Sequence, residues 1–532
     1  MKRRLFTVIS ILLLLSLVAC GQSSSGDLAG HQGSQPGTAL DPITLDWYVN
    51  YSWFVTGWGE NLVSKKITEE TGVSVNFITP IGSEEEKLNA LIASDSLPDV
   101  ITLGWWEPQV EEMISKGMVY SLNELTEMYD TDFFEVADES VVNWYKQEDG
   151  NIYCYPNSSY TPNDVETHDN IPSNQTFLVR KDIYEAIGSP DMTTQEGFYE
   201  AIKKAVEVCP EVDGEPLIPI GGTGFDETGC AAFDQYLQNF LAIPFEKDGV
   251  YYDRNLDPEY LSWLKLFRRL NAEGYIPADT YVDQRTQISE KIAEGRYFCL
   301  IYQRTDLADQ EKMLYATKPD QIYIAVDGPR NSNGDPHVLP TTGITGWTVT
   351  MIPKNCKDPE RAIRFMEYFM SEHGQKIISL GVEGEMYEMV DGKPVLFDEV
   401  SQMLNTNRSE YDAVYGGDDT YWMLQDNVMQ MDWIPKTEEP LRQLAEWTYP
   451  YSQYRGQYEV MMVESGKLGE SYAKCKKLWS ETLKSLMLAE SDEAFDAILE
   501  DYLVEREAYD YQAILDEETK QINRNKKKLG LN

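Results

Sequence analysis

The sequence predicts an α/β protein with more than one domain, and three observations support this prediction. Strand-like and helix-like segments alternate from residue 43 to residue 125, the order that builds a parallel sheet with right-handed crossovers. Residues 99–103 (DVITL) are apolar enough for a strand that is buried on both faces. The chain of 532 residues is longer than one hydrophobic core normally supports.

The strand and helix segments can be followed in order along the first part of the chain. Residues 43–49 predict a strand, a helix begins near Leu62 and ends at Gly72, and residues 73–77 alternate as a second strand. A capping box then precedes a short amphipathic helix, and the strand at residues 99–103 follows it. Ligands of open α/β sheets bind beyond the carboxyl ends of such strands.

Four tryptophans lie directly after these predicted strands. Trp53 and Trp58 belong to an aromatic loop that follows the first strand, and Trp105 and Trp106 follow the strand at residues 99–103. Large aromatics at strand ends are candidates for a ligand surface.

The first twenty residues have the pattern of an export signal and are left out of fold reasoning. Lys2, Arg3 and Arg4 form a basic start, an apolar run follows, and the sequence LVAC ending at Cys20 resembles a bacterial lipobox. We therefore expect residues 1–20 to be a lipoprotein signal peptide and Cys20 to carry acyl chains, which anchor the protein at the extracellular face of the cell membrane. A plain signal peptide is the alternative.

The chain is strongly acidic, with 45 basic and 89 acidic residues and a formal net charge of −44. This charge argues against nucleic acid as a partner and against adsorption to an anionic membrane surface. It also disfavours long-range attraction of anionic solutes. Neutral or cationic ligands therefore fit better, although a local arginine cluster could override the global field.

The sequence resembles the extracellular solute-binding proteins of ABC importers, family 1, and within them a Gram-positive lipoprotein branch associated with oligosaccharides. The most specific match is LNALIASDSLPDVI, and five later segments extend the resemblance over nearly the whole chain: DGNIYCYP, QTFLVRKD, EGRYFCLIYQRTD, GITGWTVTMIP and SEHGQKIISLGVEGEMYEMVDGKPV. The resemblance implies a two-lobe, periplasmic-binding-protein-like (type II) α/β fold with an interlobe ligand cleft and a hinge. It also implies capture of a carbohydrate by hinge closure and delivery to ABC transporter permease subunits.

By this resemblance the mature chain forms two lobes after a tether. Residues 21–41 are rich in Gly, Ser and Pro and predict a flexible tether. The N-terminal lobe is expected to contain residues 42–175 and about 345–440, and the C-terminal lobe residues 176–344 and about 441–532.

The candidate ligand contacts are aromatic and polar residues at strand ends, including those that the resemblance places beside the cleft. A sugar needs flat apolar faces with polar groups at the edge, and a ring face of about 50 Å² contributes roughly 1 kcal/mol. Aromatic residues are also common in cores, so a core role is the alternative for each. The predicted contacts are Trp53, Trp58, Trp105, Trp106, Tyr302, Arg304, Asp306 and Trp347.

The sequence gives no pattern of catalysis or metal binding. Neither a G-x-S-x-G nor an H-E-x-x-H motif occurs, and the four histidines are scattered. Some members of the family carry a calcium loop, but residues 208–219 are too short for one and keep only Glu211, Asp213 and Glu215. We therefore expect no enzymatic activity, no metal and no cofactor.

Two other functions remain open on the sequence alone. A peptide- or cell-wall-fragment-binding lipoprotein would share the fold, and a secreted glycoside hydrolase is the less favoured alternative. Six cysteines besides Cys20 lack close or repeated spacing, so we expect mostly reduced, buried thiols. We also expect a monomer.

Overall fold

The structure is a computed structural model that describes residues 41–168, 170–226, 229–434, 437–460 and 466–531. The predicted signal peptide, the lipidation site Cys20 and the tether up to residue 40 lie outside the described residues. None of the helices in the described ranges combines the length and apolar character needed to cross a membrane.

Strands and helices alternate from residue 43 to residue 115 as the sequence predicts, and three further helices precede the next strand of residues 42–168. The strands are β1 (Ile43–Val49), β2 (Val73–Ile78), β3 (Val100–Gly104) and β4 (Tyr155–Pro156). The helices are α1 (Leu62–Thr71), α2 (Glu84–Ala93), α3 (Pro108–Ser115), α4 (Leu122–Tyr129), α5 (Phe133–Val136), α6 (Glu139–Tyr145) and α7 (Pro162–Thr167).

Residues 175–340 form a second α/β unit. Its strands are β5 (Gln175–Arg180), β6 (Glu211–Val212), β7 (Glu215–Pro216), β8 (Ile218–Gly221), β9 (Glu246–Lys247), β10 (Val250–Tyr251), β11 (Tyr297–Gln303), β12 (Tyr323–Ala325) and β13 (Leu339–Pro340). Its helices are α8 (Lys181–Ala186), α9 (Gln195–Val208), α10 (Leu237–Phe240), α11 (Pro258–Ala272), α12 (Arg285–Ala293) and α13 (Ala308–Thr317).

The remainder of the chain is mainly helical. It begins with β14 (Thr348–Met351), α14 (Pro359–Met370), α15 (Glu372–Leu380), β15 (Tyr387–Val390), β16 (Lys393–Leu396), α16 (Asp398–Thr406), α17 (Arg408–Val414) and α18 (Asn427–Gln430). It ends with α19 (Leu441–Thr448), β17 (Ser452–Gln453), α20 (Lys467–Leu488), α21 (Asp492–Glu507) and α22 (Tyr511–Lys528).

Two sheets organise these elements. The first has the order β2-β1-β3-β14-β4, and the second has the order β12-β5-β11-β8. β1 runs parallel to β2 and β3, as the sequence predicts, but β14 is antiparallel to both of its neighbours. The first sheet is therefore mixed, because β14 returns to it from a distant part of the chain.

Each sheet has its own hydrophobic core. The core around the first sheet takes buried residues from 45–154 and again from 344–424. The main core around the second sheet takes them from 177–339 and again from 479–502. We call the first sheet with its core the first lobe, and the second sheet with its cores the second lobe.

The segment tested for a calcium loop forms a tight hairpin instead. β6 and β7 pair antiparallel and are joined by Asp213 and Gly214, both with positive φ, at 52° and 88°. Positive φ at both central residues is typical of a type I′ turn, which matches the twist of the flanking strands.

Asp99 connects three parts of the first lobe. Its side chain is only 4% exposed, and it accepts hydrogen bonds from the backbone N–H groups of Asp46 (2.7 Å) and Lys357 (2.8 Å). The Lys357 ammonium group lies 2.9 Å from the same carboxylate. Asp99 therefore ties β1 to β3 and to the loop before α14, a structural role.

We predict that Asp99→Ala lowers the free energy of unfolding by about 1–3 kcal/mol, because two buried backbone N–H groups lose their acceptor. Urea unfolding measures this change. Glu69→Ala is the control, because Glu69 is exposed and its ion pair with Lys66, at 3.6 Å, lies at the surface. Its free energy of unfolding should stay within about 0.5 kcal/mol of wild type. Equal effects of the two variants would contradict the assignment.

Candidate functional site

The chain passes between the lobes near Ser173, Pro340 and Ser452. These segments, which we call the crossings, bond to one another. Ser173 donates its backbone N–H to the hydroxyls of Thr448 (3.1 Å) and Ser452 (2.8 Å), and its own hydroxyl donates to the Pro340 carbonyl (2.7 Å). The Asn157 amide donates to the Trp422 carbonyl at 3.1 Å and accepts from the Thr348 N–H at 2.8 Å. The bonds of Ser173 connect segments at the junction of the lobes, and those of Asn157 hold β14 and the Trp422 segment together within the first lobe.

Four aromatic side chains, Tyr51, Trp53, Trp347 and Trp422, form one cluster on the first lobe, which we call the aromatic cluster. The ring centroids of Trp53 and Trp347 are 6.0 Å apart at 12°, and those of Trp347 and Trp422 are 4.5 Å apart. Tyr51 stacks on Trp347 at 5.3 Å. All three indoles are only partly buried, so the cluster offers broad apolar ring surface beyond the carboxyl end of β1.

The Tyr51 hydroxyl is the polar exception within this cluster. Tyr51 is only 8% exposed, and its hydroxyl is buried without a hydrogen-bond partner among the described residues. Such a group costs free energy unless a partner arrives. The Tyr51 hydroxyl is therefore an unsatisfied buried polar group within the aromatic cluster.

The second lobe faces the aromatic cluster with an arginine. The Arg285 guanidinium, at the start of α12, lies 5.1 Å from the centre of the Trp53 ring. The same group donates to the Asp306 carboxylate at 3.2 Å, just beyond the end of β11. Burial raises the pKa of Asp306, and Arg285 opposes that shift. Trp53, Arg285 and Asp306 thus form a continuous contact between the lobes.

A carboxyl group completes the polar edge on the first lobe. Glu107 accepts hydrogen bonds from the Asn50 amide (2.5 Å) and the Gly104 N–H (2.7 Å). Burial raises the pKa of Glu107 to about 7, although these two hydrogen bonds oppose the shift. The loop after β1 and the loop after β3 are therefore held together beside Tyr51.

The structure brings some of the predicted site residues together. Trp53 and Trp347 belong to the aromatic cluster, and Asp306 lies opposite them through Arg285. Arg304 follows β11 near the crossing at Ser173, where its Nε donates to the Ser173 carbonyl at 2.9 Å. Their roles as ligand contacts remain predictions.

Two other predicted contacts, Trp58 and Tyr302, pack against core residues of their lobes. Trp58 packs on Phe77, Phe365 and Tyr421 and donates its indole N–H to Thr68 at 2.9 Å. Tyr302 is 2% exposed and lies in an apolar core of the second lobe. Both faces of β11 are buried, and the surroundings of Trp58 and Tyr302 fit the core role given above as the alternative. Their roles as ligand contacts stay predictions.

Trp105 and Trp106 occupy an intermediate position. Their rings meet edge to face at 6.0 Å and 87°, and Trp106 is 50% exposed. The backbone N–H of Trp105 donates to the Trp347 carbonyl at 3.5 Å. Trp105 and Trp106 therefore border the aromatic cluster without joining its ring stack.

Sequence reasoning missed Tyr51, Trp422, Arg285 and Glu107. Tyr51 and Glu107 adjoin predicted residues, so their place beside strand ends could have identified them. Trp422 lies far along the chain from β14, and Arg285 opens an ordinary helix. Neither carries a local signal, because only the tertiary fold brings them to the site.

Two α/β lobes joined by several chain crossings, with an aromatic surface on one lobe facing an arginine on the other, define a two-lobed ligand-binding protein. Comparison with known families identifies it further. The chain belongs to the bacterial extracellular solute-binding protein family, whose model matches residues 63–382. This confirms the resemblance found in the sequence, and it places the chain in a family of binding proteins.

Two relatives share low sequence identity with this chain but align with most of its length. The polygalacturonan/rhamnogalacturonan-binding protein YtcQ of Bacillus subtilis is 21% identical over 72% of this chain and 75% of its own length. The fructooligosaccharide ABC transporter substrate-binding protein FusA of Streptococcus pneumoniae is 23% identical over 67% of each chain.

Solved structures show the same fold. FusA in complex with kestose superposes with a TM-score of 0.68 at 16% identity, covering 91% of this chain and 99% of that one. The alginate-binding protein AlgQ2 without calcium ion gives a TM-score of 0.67 at 18% identity, with 91% and 98% coverage. The predicted two-lobe α/β fold is thereby confirmed.

A buried carboxyl group lies at one of the crossings. Glu459 accepts hydrogen bonds from the Thr345 hydroxyl at 2.7 Å and the Thr345 N–H at 3.3 Å. Burial raises the pKa of Glu459 to about 7, from an ordinary 4.5. A carboxyl group with this shift binds more protons in the folded chain than in the unfolded chain, so the free energy of unfolding falls as pH rises through this range.

We predict that Glu459→Gln removes this part of the pH dependence while keeping an oxygen for Thr345. Urea unfolding at about pH 5 and about pH 8 should show a smaller loss of stability in the variant than in wild type. Glu470→Gln, at an exposed site on α20, should follow wild type. If all three proteins lose stability equally, Glu459 titrates normally.

Proposed function

We propose that this protein is the substrate-binding lipoprotein of an ABC importer that captures an oligosaccharide between its lobes and delivers it to membrane permease subunits. The observation that carries this proposal is the aromatic cluster, which faces Arg285 and contains the orphaned Tyr51 hydroxyl. Partly exposed indoles accept the apolar faces of sugar rings, and the neighbouring polar groups accept their hydroxyls.

The energetics of the aromatic cluster fit this role. Each ring face of about 50 Å² that a sugar covers contributes roughly 1 kcal/mol at about 25 cal/mol/Å². Three indoles therefore supply a few kcal/mol, and a hydrogen bond to the Tyr51 hydroxyl adds to it by relieving an unsatisfied buried group.

Hinge closure provides the mechanism of capture. The N-terminal lobe would contain residues 42–175 and about 345–440, and the C-terminal lobe residues 176–344 and about 441–532. A sugar on Trp53 displaces Arg285 from the ring face and takes up contacts with both lobes. The ligand then stabilises the closed state by its differential affinity for that state.

The names of the similar proteins support a carbohydrate. FusA is solved with kestose, YtcQ is named for polygalacturonan and rhamnogalacturonan, and AlgQ2 is named for alginate. No contact within the described residues specifically favours a peptide. We infer binding without turnover, without metal and without cofactor, by a monomer that works at the outer face of a Gram-positive cell.

We predict that Trp347→Ala removes most of the thermal stabilisation that a bound oligosaccharide gives. The loss follows from the central position of Trp347, which contacts all three other rings of the aromatic cluster. Differential scanning fluorimetry with a panel of neutral and acidic oligosaccharides and of short peptides measures the shift in Tm.

Trp433→Ala is the matched control, because Trp433 is a partly buried first-lobe tryptophan whose indole N–H donates to Ser379 outside the site. It should lower the Tm of the free protein but keep the ligand-induced shift. Stabilisation by peptides alone would favour the peptide-binding alternative, and release of shorter sugars would favour a hydrolase.

We also predict that Cys20→Ser leaves the protein without a lipid anchor. The lipobox-like sequence before Cys20 and the polar tether after it support this expectation. Cell fractionation should find wild type with the membrane and the variant in the soluble fraction. The same soluble partition for both proteins would overturn the lipoprotein assignment.

A further inference from the structure

Arg304 lies at the junction of the two lobes with an unusual environment. It follows the last residue of β11, and its backbone N–H donates to the Asn174 carbonyl at 2.8 Å. Its Nε donates to the Ser173 carbonyl at 2.9 Å, the residue that bonds the other crossings. The guanidinium is thus fixed at its Nε. Its Nη1 and Nη2 have no hydrogen-bond acceptor among the described residues.

The Arg304 charge has no counter-ion within the described part of the chain. The titratable groups that act on it are the phenols of Tyr160 and Tyr449, and burial lowers the pKa of Arg304. Two buried arginines of the chain each have a carboxylate partner, Arg180 with Asp182 at 2.8 Å and Arg506 with Asp253 at 2.6 Å. A charge that is desolvated without such a partner is costly.

The charges at the aromatic end of the cleft are arranged differently. Arg285 is already paired with Asp306, and Glu107 lies near Tyr51 on the other lobe. This end therefore suits an uncharged sugar ring. Arg304, two residues before Asp306, is by contrast a cation without an ion pair among the described residues.

We propose that Arg304 binds a carboxylate of the ligand, so that the protein takes an acidic oligosaccharide with a uronic acid unit at the lobe junction. This inference rests on the proposed function and names its substrate class. The free edge of a guanidinium matches a planar carboxylate with two parallel hydrogen bonds. The ligand carboxylate would also be the counter-ion that Arg304 lacks among the described residues. The positive charge of Arg304 would then be neutralised only in the closed, liganded state.

Isothermal titration calorimetry with matched trimers tests the proposal. Each pair has the same sugar configuration and linkage and differs only in carboxylate against hydroxymethyl: galacturonate with galactose, glucuronate with glucose, and mannuronate with mannose. At least one uronate trimer should bind wild type roughly tenfold or more tighter than its neutral partner.

Arg304→Gln should abolish that preference, and Arg304→Lys should keep part of it because the charge remains without the planar fork. Arg296→Gln is the control, since Arg296 lies just before β11 at its opposite end and pairs with Glu215 and Glu294. It should bind as wild type does. Unchanged Tm values of the unliganded variants establish that folding is intact.

The outcomes separate this inference from the proposed function. Tighter binding of neutral trimers, or a uronate preference that survives Arg304→Gln, overturns the role of Arg304 while leaving oligosaccharide capture in place. If an unfolded Arg304→Gln variant prevents the comparison, wild type against Arg304→Lys decides it. Absence of binding to every neutral and acidic sugar overturns both proposals.

Discussion

The arrangement of this molecule depends on the pairing of β14 with β3. Thr348 lies opposite Gly104 and Met351 opposite Ile101, so the chain must return from the second lobe to complete the first sheet. The return is tight: Gly346 has φ of 68°, and a Cβ there would lie 2.0 Å from the Asn157 carbonyl oxygen. Only glycine fits that position. Trp347 is consequently delivered to the sheet edge beside the loop after β1.

Local physics explains why much of the fold could be predicted from sequence. Gly72 ends α1 in the left-handed conformation, and Ser83 caps α2 through the Glu86 N–H, so boundaries follow from single residues. The direction of β14 could not be predicted in this way. An antiparallel strand in a mixed sheet has the same side-chain alternation as a parallel one, and only the long return through the second lobe sets its direction.

The candidate site could be predicted only in part for a related reason. Position after a strand drew attention to Trp53 and Trp347, whose rings stack together. The same criterion also selected Tyr302, but both faces of β11 are buried, and Tyr302 lies in a core of the second lobe. Trp422 and Arg285 reach the site through tertiary contacts alone. Proximity in sequence identified the edge of the sheet, and packing determined which side chains stay exposed there.

The net charge of −44 and the charge of Arg304, which has no ion pair among the described residues, act on different length scales. Charges on the outer surface are screened beyond about 8 Å at physiological ionic strength, whereas a desolvated guanidinium acts strongly on a group that touches it. The global charge therefore governs solubility and approach, whereas under our proposal Arg304 would select the ligand that is retained. The Nε of Arg304 donates to the Ser173 carbonyl, and Ser173 in turn bonds to Ser452 and Pro340 at the crossings. A carboxylate bound by Arg304 would therefore lie one hydrogen bond away from the residue that joins the crossings.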